Sequence, residues 1–269
     1  MTDSYEKMWE DFGRTKSEKY TEYKFNPTHR IGLTNYLRER QIFKFLSPQK
    51  EDMVLDVGCA SGRQLFELAN KIKEGYGTDI AQSFIDKANS LKTERQISNI
   101  YFHRAEIEHL PFADNFFDKV FCAEVLEHVT DKDVALRELK RVLKPEGLLI
   151  ITVPNLNADA TWWGRLLRFL GIRKFIPLED FSHEGWSKHG DAHVREFSHK
   201  TMREWLENNG FKVLALKSAS FIDGPGFDFL LKFPLHVKLS QRLIIALENH
   251  LTNRDMFWGR HLIVKAKKS

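Results

Sequence analysis

The chain has 269 residues, 41 Lys+Arg against 37 Asp+Glu, a net charge of +4 and 42% hydrophobic residues. That length holds one large domain or a core with a lid, and the apolar content suffices for a buried sheet. The mild charge, without a dense Lys/Arg stripe, argues against nucleic acid as a partner, two cysteines exclude a disulfide framework, and no apolar run approaches the roughly 18 residues of a spanning helix.

Residues 3–25 are rich in charge and aromatics, among them Trp9, Phe12, Tyr20, Tyr23 and Phe25. Residues 28–46 read as a helix with Ile31, Tyr36, Leu37, Ile42, Phe43 and Leu46 inward. Together residues 1–48 are expected to form a helical cap, and 49–269 the main domain. From there strand and helix alternate: 53–57, 64–72, 75–79, 82–91, 99–103, 117–122, 133–143 and 147–153. Alternation of this kind implies parallel strands joined by right-handed crossovers, hence an α/β doubly wound sheet. In 133–143 one helical face carries Leu136, Leu139, Val142 and Leu143, and Pro145 and Gly147 are expected to end the helix. The alternation then stops for about 40 residues, longer than an ordinary loop. Residues 156–197, with Trp162, Trp163 and Trp186, therefore read as a lid or substrate-binding insertion. A helix at 199–209 and a strand at 211–217 return to the sheet, residues 221–258 form a second excursion, and 261–267 is a final strand. The N-terminus lacks a leader pattern, and Cys59 and Cys122 fall in core or site segments, so a reducing, cytoplasmic setting is expected.

The chemistry concentrates in Val54-Leu55-Asp56-Val57-Gly58-Cys59-Ala60-Ser61-Gly62, answered by Asp79 after Gly77-Thr78. A buried strand ends in a turn whose glycines let the backbone approach a ligand. Ala60 replaces the second glycine of a dinucleotide fingerprint, and Arg63-Gln64 follows Gly62 where a Walker loop needs Lys-Ser/Thr. What remains is D-x-G-x-x-x-G with an acid at the end of the next strand, placed to accept both ribose hydroxyls of a nucleoside without phosphates.

With four further segments in order, the chain resembles the class I S-adenosylmethionine-dependent methyltransferases, and among them the ubiquinone/menaquinone-biosynthesis group. Those segments are Glu106-Ile107-Glu108-His109-Leu110-Pro111-Phe112, then 117–129 with Glu124-Val125-Leu126-Glu127-His128, then 139–154, then the pair 210–213 and 261–264. Glu106 and Ala105 depart from the family's more frequent Asp and Gly. The resemblance implies a mostly parallel seven-stranded sheet with an antiparallel last strand, and S-adenosylmethionine as cofactor. It places Asp56 and Gly58, Cys59, Ala60, Ser61 and Gly62 at the methionine end, Asp79 and Ile80 at the ribose, Glu106 and Ile107 at adenine, and Cys122, Ala123 and Glu124 on the sulfonium side. Tyr20, from the cap, offers a ring face to the cationic sulfur. The acceptor is expected to be a small molecule, with an oxygen on a sugar, lipid or quinone-like precursor foremost.

Methyl transfer needs alignment first and a base second. His128 and His193 are the candidate bases, since histidine titrates near neutral pH. Each has a structural rival: His128 as a helix cap, and His193 with Arg195 as a fastener of the lid. His183, His189, Asp191 and His193 match no familiar metal-ligand spacing, so no metal is expected. In the second excursion Leu235, Leu239, Leu243, Ala246, Leu247 and Leu251 line one helical side. That side suits a membrane surface or lipid-linked acceptor on one reading, and a lid core or dimer contact on the other. A non-catalytic cofactor-binding regulator and a nucleotide-linked oxidoreductase are the remaining functional alternatives, and the oligomeric state is left open.

Overall fold

The computed structural model describes residues 2–21, 30–156, 197–219 and 261–269, with Ala246, His250, Thr252 and Gly259. Seven strands are found in chain order: β1 (Met53–Val57), β2 (Glu74–Asp79), β3 (Ile100–Arg104), β4 (Phe117–Ala123), β5 (Leu143–Pro154), β6 (Phe211–Ala219) and β7 (His261–Lys268). They pair in one sheet ordered β3-β2-β1-β4-β5-β7-β6. Strands β1 to β5 run parallel, whereas β7 is antiparallel to β5 and to β6. The doubly wound sheet with an antiparallel last strand is therefore as the sequence implied.

Among the described residues six helices accompany the sheet: α1 (Thr2–Thr21), α2 (Arg30–Leu46), α3 (Arg63–Leu68), α4 (Gln82–Glu94), α5 (Lys132–Val142) and α6 (His199–Asn208). The period of two along β1 divides its side chains between faces. Leu55 and Val57 enter one core with Leu136 and Leu139 of α5 and Met202 and Leu206 of α6. Val54 enters the other, with Ile42 and Leu46 of α2, Leu65 of α3 and Ile85 of α4. Each of these side chains, fully buried, contributes about 1.5–3 kcal/mol through water exclusion. Because Ile42 and Leu46 share their core with Phe121 of β4, Ile150 of β5 and Ile263 of β7, α2 lies on the sheet itself.

Two helix ends are set by tertiary partners away from where the sequence put them. The helix expected over 64–72 ends at Leu68 and tightens into a 3-10 turn, Ala69–Lys71. There the Asn99 amide donates to the carbonyls of Ala69 (2.9 Å) and Lys73 (3.1 Å), taking up the freed acceptors. The helix expected over 133–143 stops at Val142 rather than at Pro145, because Leu143 already pairs with Phe117 and begins β5. A register shift in β4 between Phe117 and Lys119 absorbs residues 144–147.

The connection between β3 and β4 carries no helix. Arg141 holds it instead, donating to the carbonyls of Leu110 (2.9 Å) and Phe112 (2.7 Å) and to the carboxylates of Glu138 and Asp114. Below the sheet, Lys119 of β4 pairs with Asp52 at 2.6 Å and donates to the Ser47 carbonyl at 2.7 Å, so this buried cation is paired and hydrogen-bonded. Among the described residues no helix is long and apolar enough to cross a membrane.

Candidate functional site

The carboxyl ends of β1 to β4 lie side by side in the sheet, and α1 crosses the turns that follow all four. Its Ser17 carbonyl accepts from Ser61 Oγ (3.1 Å), and Glu10 accepts from the Ser83 backbone N–H (3.3 Å). Glu6 pairs with Arg104 (2.7 Å), and the Tyr5 hydroxyl donates to the His128 carbonyl (2.6 Å). The ring of Trp9 stands edge-on to His128 at 5.0 Å. In an open α/β sheet this edge, where strand order reverses beside β1, is where ligands bind.

The turn after β1 is built on left-handed backbone. Gly58 has φ +76° and Gly62 φ +78°, with Ala60 between them at φ 45°. The amides of Gly58 and Cys59 both donate to the Thr78 carbonyl, at 2.8 and 2.9 Å, so the turn folds toward β2. Asp79 completes it: one carboxylate oxygen accepts from the Ala60 amide (2.9 Å), the other from Ala81 (3.0 Å). Two acceptor oxygens with one bond each retain lone pairs for further donors. Burial pushes the Asp79 carboxyl up to about 6, with its backbone hydrogen bonds from Ala81, Ala60 and Ile80 opposing the rise and Glu10 adding to it.

Asp56, at 1% exposure, has no hydrogen-bond partner on either carboxylate oxygen. Burial first, then Asp79 and Glu39, hold its carboxyl well above the usual range, and Arg63 opposes them. A buried carboxylate in this condition is costly and calls for a proton or a cation beside it. That demand is the test of fit for a cationic nucleoside, and Asp56 fits one: the ammonium group of S-adenosylmethionine would supply the missing cation.

The turn after β4 holds the other predicted residues. Cys122 is buried, and burial raises its thiol, as it does that of Cys59, so both sit as small apolar side chains. Ala123 is partly buried beside it, and Glu124 adopts φ 56°. Burial alone would raise the Glu124 carboxyl. His261 (3.3 Å) and Arg38 (3.4 Å), with hydrogen bonds from His261 and Thr152, overcome it and hold the group down at about 2. His128 closes the 3-10 turn Leu126–His128 under α1. On the far side, the Ile80 carbonyl accepts from Arg104 (3.0 Å), Ile107 is buried in the core, and Glu106 lies partly exposed. Burial, Glu108 and Glu6 raise the Glu106 carboxyl.

The structure thus brings Asp56, the 58–62 turn, Asp79 and the 122–124 segment to one end of neighbouring strands. His193, Arg195, the histidines proposed and rejected as metal ligands, and nearly all of both excursions lie outside the described residues, as does the side chain of Tyr20. Sequence reasoning placed Trp9 among the aromatics of the cap but missed Tyr5 and Glu10 of α1 and Arg38 and Glu39 of α2. Their partners are far along the chain, and the single legible sign was the unusual aromatic density of residues 3–25.

Comparison with known proteins bears on the family and the fold. A family described as a methyltransferase domain matches residues 55–151. A protein of Aspergillus luteorubrus named "Probable methyltransferase ltbC" is 32% identical over an alignment 200 positions long that covers 61% of this chain and 70% of that protein. The ubiquinone biosynthesis O-methyltransferase of Bartonella tribocorum is 30% identical over 151 residues, covering 52% and 59%. Of other curated relatives the chain spans about half the length, 54% of one and 41% of another. Among solved structures, a SAM-dependent methyltransferase from Aquifex aeolicus superposes with a TM-score of 0.55 at 16% identity, covering 91% of this chain and 100% of that one, which concerns the fold alone.

Proposed function

Because this chain belongs to the S-adenosylmethionine-dependent methyltransferases, we propose that it moves a methyl group from that cofactor to an oxygen of a small acceptor, a sugar, lipid or quinone-like precursor. The observation that carries the reading is the Gly58–Gly62 turn joined to Asp79, with the unpartnered Asp56 carboxylate beneath it. The oxygen acceptor draws support from the Bartonella relative, named as an O-methyltransferase.

In this reading Asp79 accepts the ribose hydroxyls while its bonds to Ala60 and Ala81 keep it in place. Asp56 faces the cofactor's ammonium group, and the backbone of Gly58, Cys59, Ala60, Ser61 and Gly62 meets its carboxylate. Ile80, Glu106 and Ile107 border the adenine, and Cys122, Ala123 and Glu124 border the sulfur. The bound cofactor supplies a methyl carbon already activated by positive sulfur, so the protein's task is alignment, which is worth effective concentrations on the order of 10⁵–10⁸ M. His128, beside the β4 tip, takes the acceptor's proton, with His193 as the second candidate. The N-terminal cap covers the cofactor cleft, and the insertions at 156–197 and 221–258 form the acceptor pocket and its lid.

Asp79 must be ionised to accept two hydroxyl donors, so cofactor affinity should be level above about pH 6 and fall below it. Calorimetric titration with S-adenosylhomocysteine across that interval checks the sign; affinity that rises on acidification contradicts the role of Asp79. For turnover, the protein incubated with radiolabelled methyl donor and a cell extract should label a small molecule. His128→Gln should lower that transfer by about 10²–10⁴-fold while leaving cofactor affinity in place. Full transfer by the variant removes His128 as base, and cofactor binding without any labelled acceptor favours the regulator.

A further inference from the structure

Two neighbouring residues of α2 reach the turns that follow β1 and β4. Arg38 contacts Glu124, just past β4. Glu39, 4% exposed, receives both terminal nitrogens of the Arg63 guanidinium, Nη1 at 2.9 Å and Nη2 on the other oxygen. Arg63 is the first residue after Gly62, and its Nη1 also reaches Glu67 at 3.3 Å. A fork of this kind fixes distance and orientation together, because the guanidinium is planar and the two bonds are parallel.

We propose that Glu39, acting through Arg63, is a positioning residue of the cofactor site: it pins the end of the glycine turn to α2. This rests on the cofactor reading above and adds to it a residue outside every motif that reading used. The pair fixes the far end of the 58–62 turn, whose near end is tied to Thr78.

The test is a double-mutant cycle in the full chain, with S-adenosylhomocysteine as the titrated ligand. Glu39→Gln, Arg63→Gln and the double variant should each weaken binding by about 10–100-fold, and by the same factor, because all three remove one interaction. Arg63→Lys keeps the charge but not the fork and should fall between them and the wild type. A merely structural pair would lower the melting temperature and leave affinity unchanged at temperatures where the variants are folded. Unchanged affinity in Glu39→Gln, or additive losses in the double variant, overturns the proposal while the cofactor reading stands. A wild-type chain that does not bind the ligand removes both.

Discussion

Asp79→Ala should weaken binding of S-adenosylhomocysteine by at least about 3 kcal/mol, more than a hundredfold in Kd. Two losses combine. The ribose loses an acceptor for its hydroxyls, and hydrogen bonds to a charged group are each worth about 1.5–3 kcal/mol. The turn also loses the carboxylate that joins the Ala60 amide at 2.9 Å to the Ala81 amide at 3.0 Å, leaving two backbone donors unsatisfied where the ligand approaches. Asp79→Asn separates these effects, since its single carbonyl oxygen replaces one acceptor only. Asn should recover part of the affinity and abolish the decline below about pH 6. Isothermal calorimetry on the three proteins gives the answer, and equal affinities would remove Asp79 from the site.

Gly58→Ala is expected to damage both the turn and the fold. At φ +76° an added Cβ is strained, by about 1–2 kcal/mol. It would also stand 2.2 Å from Cγ2 of Val125, which must move. Overpacking of that kind costs about 1–3 kcal/mol. Val125 follows Glu124, so its displacement reaches the β4 turn as well as the β1 turn, and cofactor affinity should fall together with the melting temperature. Val125→Ala in the same background should return the overpacking part and leave the backbone strain. Thermal unfolding of the two variants beside the parent tests this division; a Gly58→Ala protein with parental stability and affinity refutes it.

What was legible in the sequence was legible because it is local. The apolar run Val54–Val57, the glycines of the following turn and the acid closing β2 sit within one strand-turn-helix-strand unit, where period and spacing carry the message. The α/β alternation predicted the parallel sheet for the same reason. Helix ends were read less well where tertiary partners decide them: Leu143 leaves α5 because Phe117 pairs with it, and Asn99 terminates the helix after Leu68 from 30 positions away. The α1 contacts escaped altogether. Glu6, Glu10 and Ser17 face Arg104, Ser83 and Ser61, and nothing in a run of charged and aromatic residues says which turn each will meet. Glu39 was hidden likewise, since an acid on an amphipathic helix ordinarily faces water, and here its partner at Arg63 draws it inward.

The glycine turn and Asp79 together holding a sulfonium nucleoside is the claim on which the rest depends. Equilibrium dialysis of the purified wild-type chain against labelled S-adenosylmethionine, at neutral pH, tests it most directly. Saturable retention of one molecule per chain, displaced by S-adenosylhomocysteine and lost in Asp79→Ala, is the result predicted. No retention by folded protein, or retention undiminished in Asp79→Ala, would contradict it.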